Sequence, residues 1–386
     1  MKRVLFIAFM VFCFLSMEAQ EKQDYSPKGQ PFFQVLYNQG AQWNRTRYLQ
    51  AQMENGYRSV DLRFGFQSLG AQLWQQDHKY PRMGLGFNFA DEVIGSRDTS
   101  LSNPYSLYVF YSAPMFRQGR FSLNTNISTG LSYTSLIYDP ETNPYNDIVA
   151  SHINLYFNLN LELMVQLNQR MDLVLGAGIA HYSNGNLHEP QKGLNNWGLN
   201  AGLTYFMGQG QKPFERAAFT KSEFPVFQPM EELQFMYAVG LTEWQPDDQE
   251  YGTHYFACTF STDYAFRYWR NGALTMGVDV MYDGSLVEVL RIPEDMVSTW
   301  HKMYLGGHMG YQYSIKRLTL LVNLGSYFSQ TAWNRRWFYG RAGWRFQIAD
   351  PLSFHLSIKT RDGIRSDWIE WGLAVAVKTR EMEALY

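Results

Sequence analysis

Residues 152–165 read HINLYFNLNLELMV, and this stretch decides the fold class. Apolar side chains stand at every second position, namely Ile153, Leu155, Phe157, Leu159, Leu161, Leu163 and Val165. Successive side chains of a β-strand point to opposite faces, so one face of this strand is apolar. The run exceeds the ~5–6 residues of an ordinary strand and suits a tilted membrane-spanning strand of ~9–11 residues or more. It predicts a transmembrane strand whose polar face, with Glu162, lines a lumen.

Similar alternation recurs along the rest of the chain. About sixteen candidate strands begin near residues 32, 57, 80, 104, 119, 150, 170, 194, 231, 252, 271, 299, 316, 337, 351 and 366. Single-chain bacterial barrels have an even number of strands. A soluble secreted β-protein is the alternative, because soluble sandwiches alternate too. The number of long runs favours an all-β, transmembrane antiparallel β-barrel of about sixteen strands.

The N-terminus predicts export. Residues 1–19 have the pattern of a secretory signal peptide, with Lys2 and Arg3 before an apolar core and Ala19 at a plausible cleavage edge. A membrane anchor is the alternative, but the apolar stretch is shorter than the ~20 residues that a spanning helix needs. Export without a later apolar helix, together with 17% aromatic residues, predicts the bacterial outer membrane and its lipids as surroundings.

Composition also limits the partners. Cys258 is the one cysteine beyond the predicted signal peptide, so an intramolecular disulfide is excluded. No Cys-x-x-Cys or Cys/His cluster predicts a structural metal, and no metal or cofactor is expected. The formal net charge of −2 gives no reason to expect a nucleic acid partner.

The connections suggest how the strands are divided. Tight turns follow even-numbered strands and longer loops follow odd-numbered ones, as in barrels whose short turns face the periplasm. Residues 207–230 break this rule with a long polar connection on the predicted periplasmic side. The predicted regions are a signal peptide (1–19), a first barrel region (20–206), a periplasmic linker (207–230) and further barrel strands (231–386). One large barrel is favoured, and two tandem 8-stranded barrels are the alternative.

The strand that begins near Met171 carries polar residues at its end. His181 and Ser183 continue the apolar face that Ile179 shares with the preceding odd-numbered positions. A serine nucleophile needs a base, and the base needs a third group to orient it. The next hairpin strand brings Asn195 beside His181. On spacing alone, the simpler interpretation is that His181 and Ser183 are polar residues of the interfacial belt at the end of a strand.

A resemblance to a known family adds to this spacing. It rests on His181-Tyr182-Ser183-Asn184 with Pro190, Gly193 and Asn195, and on the upstream blocks 138–146 and 151–154. These residues resemble the signature of the outer-membrane lipid A 3-O-deacylases, also called acyloxyacyl hydrolases, in their Bacteroidetes-type form. The resemblance covers roughly residues 30–206 and implies little about residues 231–386.

The resemblance implies a barrel with a Ser–His–acid triad on its lipid-facing exterior, which cleaves an ester-linked acyl chain from lipid A. Ser183 then matches the nucleophile, His181 the base and Asn184 the oxyanion donor. Asn195 stands where better-studied members carry a glutamate. The expected partner is lipid A or lipopolysaccharide as substrate. The alternative is a non-enzymatic outer-membrane barrel, either a passive pore or a structural protein.

Overall fold

The computed structural model describes residues 29–43, 56–91, 102–185, 187–188, 192–207, 219, 221–244, 252–328, 337–361 and 365–381. The predicted signal peptide and much of the predicted linker lie outside the described residues. Strands account for most of what is described.

Sixteen strands occur in the described residues, the number that the alternation predicts. The first eight are β1 (Gln30–Gln42), β2 (Tyr57–Gln67), β3 (Arg82–Asp91), β4 (Tyr105–Gln118), β5 (Phe121–Tyr133), β6 (Ile153–Gln166), β7 (Met171–Ser183) and β8 (Leu194–Phe206). The second eight are β9 (Met230–Trp244), β10 (Thr253–Trp269), β11 (Gly272–Asp283), β12 (Met303–Ile315), β13 (Leu318–Tyr327), β14 (Phe338–Gln347), β15 (Leu352–Arg361) and β16 (Arg365–Glu381).

Helical structure in the described residues is confined to connections. Helix α1 (Leu73–Asp77) joins β2 to β3, and α2 (Leu286–Val289) follows β11. Two 3₁₀ turns, Glu294–Met296 and Thr299–Lys302, lead into β12, so this strand begins after the predicted position near residue 299. In the described part of the chain, no helix has the length and apolar character needed to cross a membrane.

The single large barrel favoured from the sequence is wrong, because the strands close into two barrels of eight. Strand β8 returns to pair with β1, from Phe32↔Phe206 to Gln42↔Asn196. Strand β16 pairs with β9 in the same antiparallel sense. Each closure satisfies the backbone N–H and C=O groups that an open sheet edge would expose. A hairpin specifies only which neighbouring strands pair. The same alternation is therefore compatible with one sixteen-stranded barrel and with two tandem eight-stranded barrels. The tandem arrangement is the one observed.

The first barrel is polar inside and apolar outside. Along β6, Leu161 and Leu163 are exposed, whereas Asn160 and Glu162 are buried. The guanidinium of Arg63 lies 2.8 Å from the Glu162 carboxylate inside the barrel. An eight-stranded barrel is just wide enough for side chains to fill its interior. Apolar residues outside and polar residues within are the arrangement of a transmembrane barrel.

The second barrel has an interior of the same kind. Arg341 contacts Asp279 at 3.2 Å and Glu370 at 2.6 Å. His308 lies between Asp279, at 2.9 Å, and Asp263, at 2.7 Å. All five side chains are buried. Ion pairs therefore occupy the centre of this barrel where a soluble protein would have an apolar core.

The two barrels touch along a zone that we call the seam. At the end with the short turns, His78 Nδ1 lies 2.7 Å from the Tyr111 hydroxyl of the first barrel and 3.0 Å from the Tyr313 hydroxyl of the second. At the opposite end, which we call the loop end, His254 Nε2 donates to the carbonyl of Leu187 at 2.8 Å. The seam thus joins the second barrel to the residues that follow β7.

Candidate active site

The end of β7 places two predicted site residues on the outside of the first barrel. In the register of β7 with its neighbours, His181 lies opposite Phe157 of β6 and Asn195 of β8. Ser183 follows two positions later on the same face and lies opposite Leu155. The outward direction follows from the exposed Ile179 earlier on that face. Strand parity, read from the sequence, gives this orientation correctly.

His181 and Asn195 are hydrogen-bonded. His181 Nδ1 lies 2.7 Å from Asn195 Oδ1. The amide nitrogen of Asn195 donates to the carbonyl of Gly193 at 3.4 Å, which directs Oδ1 to the imidazole. An amide oxygen can only accept, so Nδ1 carries the proton and Nε2 has the lone pair. This tautomer is the one that a general base needs at Nε2.

Ser183 is close in sequence to His181, but the two side chains are not hydrogen-bonded in the described structure. Instead, Ser183 Oγ accepts a hydrogen bond from the Gly185 N–H at 3.1 Å. The Ser183 side chain is only 5% exposed although it lies on the outer face of the barrel. Hydrogen bonds between catalytic groups are often absent or long before substrate binds. The structure therefore pairs His181 with Asn195 and places Ser183 nearby, covered from solvent.

Asn184 turns away from the outer face. Its amide nitrogen donates to the carbonyl of His188 at 3.0 Å, and its Oδ1 accepts from the Leu187 N–H at 3.3 Å. The side chain is buried. These bonds close the turn after β7, as Asn side chains commonly do. The residue predicted as an oxyanion donor is thus engaged with its own loop.

Gly185 was not singled out from the sequence, although an Asn-Gly pair is a turn signal. It has φ +71°, a conformation that favours glycine. A Cβ at this position would lie 2.5 Å from Cδ1 of Ile369. Ile369 belongs to β16, so the turn after Ser183 packs directly against the second barrel. This contact lies two residues after Ser183.

Gly193 supports the imidazole from the other side. Its φ is +69°, and a Cβ would lie 3.0 Å from both His181 Cε1 and the Tyr182 carbonyl oxygen. Its N–H donates to the carbonyl of Ile148 at 3.1 Å. Ile148 and Val149 are buried in the aromatic cluster at the mouth of the barrel. The loop before β6 therefore holds the start of β8, and with it the position of His181.

An apolar strip runs down the barrel from His181. Phe157, Ile179 and Trp197 lie on three adjacent strands and are 40%, 40% and 51% exposed. Leu175 and Leu199 extend this surface toward the short-turn end and are also exposed. The strip can accept an extended hydrocarbon chain whose polar end lies at His181.

The sequence matches two family profiles. The profile of the lipid A 3-O-deacylase (PagL) matches residues 40–204, within the first barrel. The profile described as the acyloxyacyl hydrolase C-terminal domain matches residues 231–379, within the second barrel. The two matches cover most of the chain, including the half about which the resemblance implied little. No curated protein matches the sequence.

Solved barrel structures share little with this chain. CdiB from Acinetobacter baumannii is 9% identical with a TM-score of 0.19, and the match covers 91% of this chain and 60% of CdiB. The beta domain of the Bordetella autotransporter BrkA is 10% identical with a TM-score of 0.26, over 91% of this chain and 100% of that domain. A triple mutant of the Rhodopseudomonas blastica porin is 7% identical with a TM-score of 0.18, over 90% and 100%. The two profile matches show that the chain belongs to the lipid A 3-O-deacylase (PagL) family and carries the acyloxyacyl hydrolase C-terminal domain.

Proposed function

We propose that the protein is an outer-membrane lipid A deacylase in which Ser183 is the nucleophile, His181 the base and Asn195 the orienting group. The observation that carries this proposal is the 2.7 Å contact between His181 Nδ1 and Asn195 Oδ1 on the outer face of the barrel. Family membership supplies the substrate class, a lipid with ester-linked acyl chains. Ser183 is the hydroxyl two positions from the base on the same face.

The reaction proceeds in two steps. Ser183 Oγ attacks the ester carbonyl carbon while His181 Nε2 takes the hydroxyl proton. The tetrahedral intermediate then breaks its bond to the alcohol oxygen of lipid A, and His181 returns the proton to that oxygen. A water molecule, deprotonated by His181, attacks the acyl-serine, and the fatty acid leaves. Ser183 regains the proton from His181, so no cofactor is consumed.

The negative charge on the carbonyl oxygen needs hydrogen-bond donors. The Gly185 N–H already points at Ser183 Oγ, so it lies close to where an oxyanion would form. Asn184 acts with it by fixing the turn through His188 and Leu187. In the proposed mechanism Asn184 therefore holds the Gly185 N–H in place and does not itself donate to the oxyanion.

Asn195 supplies orientation without charge. Its oxygen accepts from Nδ1 and so fixes the productive tautomer, as the asparagine of cysteine proteases with a Cys–His–Asn set does. A carboxylate would also stabilise the imidazolium that forms during each step. The substitution of the family's glutamate by Asn195 therefore predicts a slower enzyme with an intact base.

The site lies at the loop end of the barrel, which the connection lengths assign to the outer leaflet, where lipopolysaccharide resides. An acyl chain lying on Phe157, Ile179 and Trp197 brings its ester to the level of His181. The buried ion pairs of both barrels, such as Arg63–Glu162, give the passive-pore alternative no support in the described residues.

Covalent labelling tests the nucleophile. A long-chain alkyl fluorophosphonate transfers its phosphonyl group to an activated serine and releases fluoride. We expect the refolded protein to gain one phosphonyl group, on the peptide that contains Ser183, and the His181→Ala variant to label much more slowly. Thr129→Ala is the control, because Thr129 is an exposed hydroxyl on the outside of β5. Equal labelling of wild type and Ser183→Ala contradicts the proposal.

A further inference from the structure

Three side chains that can bind a metal meet at the loop end of the seam. His188 follows β7 of the first barrel, Glu243 lies near the end of β9, and His254 lies near the start of β10. One ligand atom of each lies within 4.8 Å of the others. Both histidines are exposed and Glu243 is buried, so the cluster is open to solvent on one side.

Two of the three ligands are fixed by the sheet. Glu243 and His254 are direct partners in the antiparallel register of β9 with β10. Directly opposite residues point to the same face with their Cβ atoms ~4.5–5.5 Å apart. The third ligand, His188, comes from the other barrel, and its ring centroid lies 5.5 Å from that of His254 at an interplanar angle of 81°. The two rings meet edge to face.

The surroundings of the cluster are those of a built site. His254 Nε2 donates to the carbonyl of Leu187 at 2.8 Å. A backbone carbonyl on one ring nitrogen leaves the lone pair on the other, which is how metal-binding histidines are commonly held. Gly252 lies so close to Glu243 that a Cβ would come within 2.6 Å of its Oε1. A side chain at position 252 would therefore displace the Glu243 side chain from its present position.

We propose that His188, Glu243 and His254 bind a divalent transition-metal ion, of which Zn²⁺ is the best match. Two imidazoles and one carboxylate are a zinc ligand set, and water fills the fourth position. Ligand atoms at ~2.0–2.2 Å from Zn²⁺ lie roughly 3.3–3.6 Å apart in a tetrahedron. The cluster must therefore contract slightly, which the exposed side chain of His188 permits. Ca²⁺ and Mg²⁺ prefer all-oxygen sites and fit this set poorly.

The ion would clamp the turn after Ser183 to the second barrel. The carbonyl of His188 accepts from Asn184, and Leu187 is hydrogen-bonded to His254. A metal ion on His188 would therefore hold the turn that follows Ser183 to β9 and β10. The site uses residues of both family-matched regions, and metal binding does not depend on whether Ser183 cleaves an ester.

Zinc binding by the full-length refolded protein tests the site. We expect wild type to bind one equivalent of ZnCl₂ in calorimetry and metal analysis after dialysis, and to unfold at a higher temperature with zinc. Loss of a second-shell partner alone weakens metal sites by ~10–100-fold. We therefore expect Glu243→Gln and His254→Ala, which remove ligands, to weaken binding by at least about 100-fold and to abolish the shift in unfolding temperature.

The control is His152→Ala, because His152 is an exposed histidine in the connection before β6 and is not one of the three residues of the cluster. It should bind zinc as wild type does. Wild-type binding in both cluster variants would overturn the site, as would a failure of wild type to bind zinc. Binding of CaCl₂ with equal affinity would overturn the assignment to a transition metal. Circular dichroism and the heat-induced gel shift confirm that each variant is folded.

Discussion

Gly185 of the first barrel lies against Ile369 of the second, so closely that a methyl group on Gly185 would come within 2.5 Å of Ile369 Cδ1. This contact stands two residues after Ser183. The second barrel therefore packs against the turn that follows the candidate site residues of β7.

Gly185→Ala tests this contact. Alanine introduces backbone strain of ~1–2 kcal/mol at a positive φ and a clash with Ile369. Gly119→Ala is matched for strain, because Gly119 has φ +57° and nothing within 4 Å of its Cβ position. We expect Gly185→Ala to reduce lipid A deacylation well below the level of Gly119→Ala.

The double variant Gly185→Ala with Ile369→Ala separates the backbone strain at position 185 from the steric clash with the Ile369 side chain. Removing the Ile369 side chain relieves the clash alone, so activity should recover part of the way. Residues in direct contact commonly show coupling of ~0.5–3 kcal/mol in such a cycle. Additive effects would mean that the contact between the barrels does not influence Ser183.

Asn195 is predicted to set the rate through orientation. Asn195→Ala removes the acceptor for His181 Nδ1, and we expect kcat to fall by about 10²- to 10⁴-fold, the usual contribution of a positioned base. Asn195→Asp keeps the shape and adds a charge. Hydrogen bonds to charged groups are stronger by about 1 kcal/mol, so kcat should rise by up to about tenfold. An unchanged kcat in Asn195→Ala would show that the orienting role is wrong.

His78 should make the seam sensitive to acid. His78 lies in the connection between β2 and β3, at the end of the barrel that has the short turns. Burial lowers the pKa of its imidazole, although the nearby Asp77 carboxylate opposes the shift. A lowered pKa means that the unfolded chain binds the proton more readily. Its contribution to stability is complete above the ordinary imidazole value of ~6.5 and is lost as the pH falls toward the lower folded value.

Thermal unfolding at about pH 8 and about pH 5 tests this sign, since the two lie on either side of the ordinary value of ~6.5. We expect wild type to lose more stability on acidification than His78→Gln, which can still accept from the hydroxyls of Tyr111 and Tyr313. A larger acid loss in the variant would contradict the assigned direction.

Glu162 should be essential for the stability of the first barrel. Glu162→Leu leaves the Arg63 guanidinium buried without this carboxylate partner, a change that typically costs ~3–5 kcal/mol. Urea unfolding of the refolded protein measures the effect. The control is Arg170→Ala, because Arg170 is only partly buried and its hydrogen bond to the exposed Tyr205 should contribute ~0–1 kcal/mol. Equal midpoints for the two variants would contradict a structural role for the ion pair.

Much of the fold follows from local sequence. Alternation along HINLYFNLNLELMV specifies a strand, its length and the inward direction of Glu162. The same parity places His181 and Ser183 outside, and one hairpin brings Asn195 opposite His181. These features depend on neighbours in the chain, which alternation and turn residues encode.

Long-range features could not be predicted in this way. Closure of β8 onto β1 joins residues as distant as Phe32 and Phe206, and no periodicity distinguishes that pairing from a larger barrel. The packing of Gly185 against Ile369 joins residues of two different barrels. The hydrogen bond from Asn184 to the His188 carbonyl depends on the conformation of the turn after β7, which the sequence alone does not specify.

The most direct test of the proposed triad is mass spectrometry of lipid A after incubation with the refolded protein, with Ser183→Ala and His181→Ala in parallel. Circular dichroism establishes that all three are folded. We predict that wild type releases one acyl chain and that both variants leave lipid A intact. Loss of the same acyl mass with either variant at the wild-type rate, or intact lipid A with folded wild type, would contradict the Ser183–His181 mechanism.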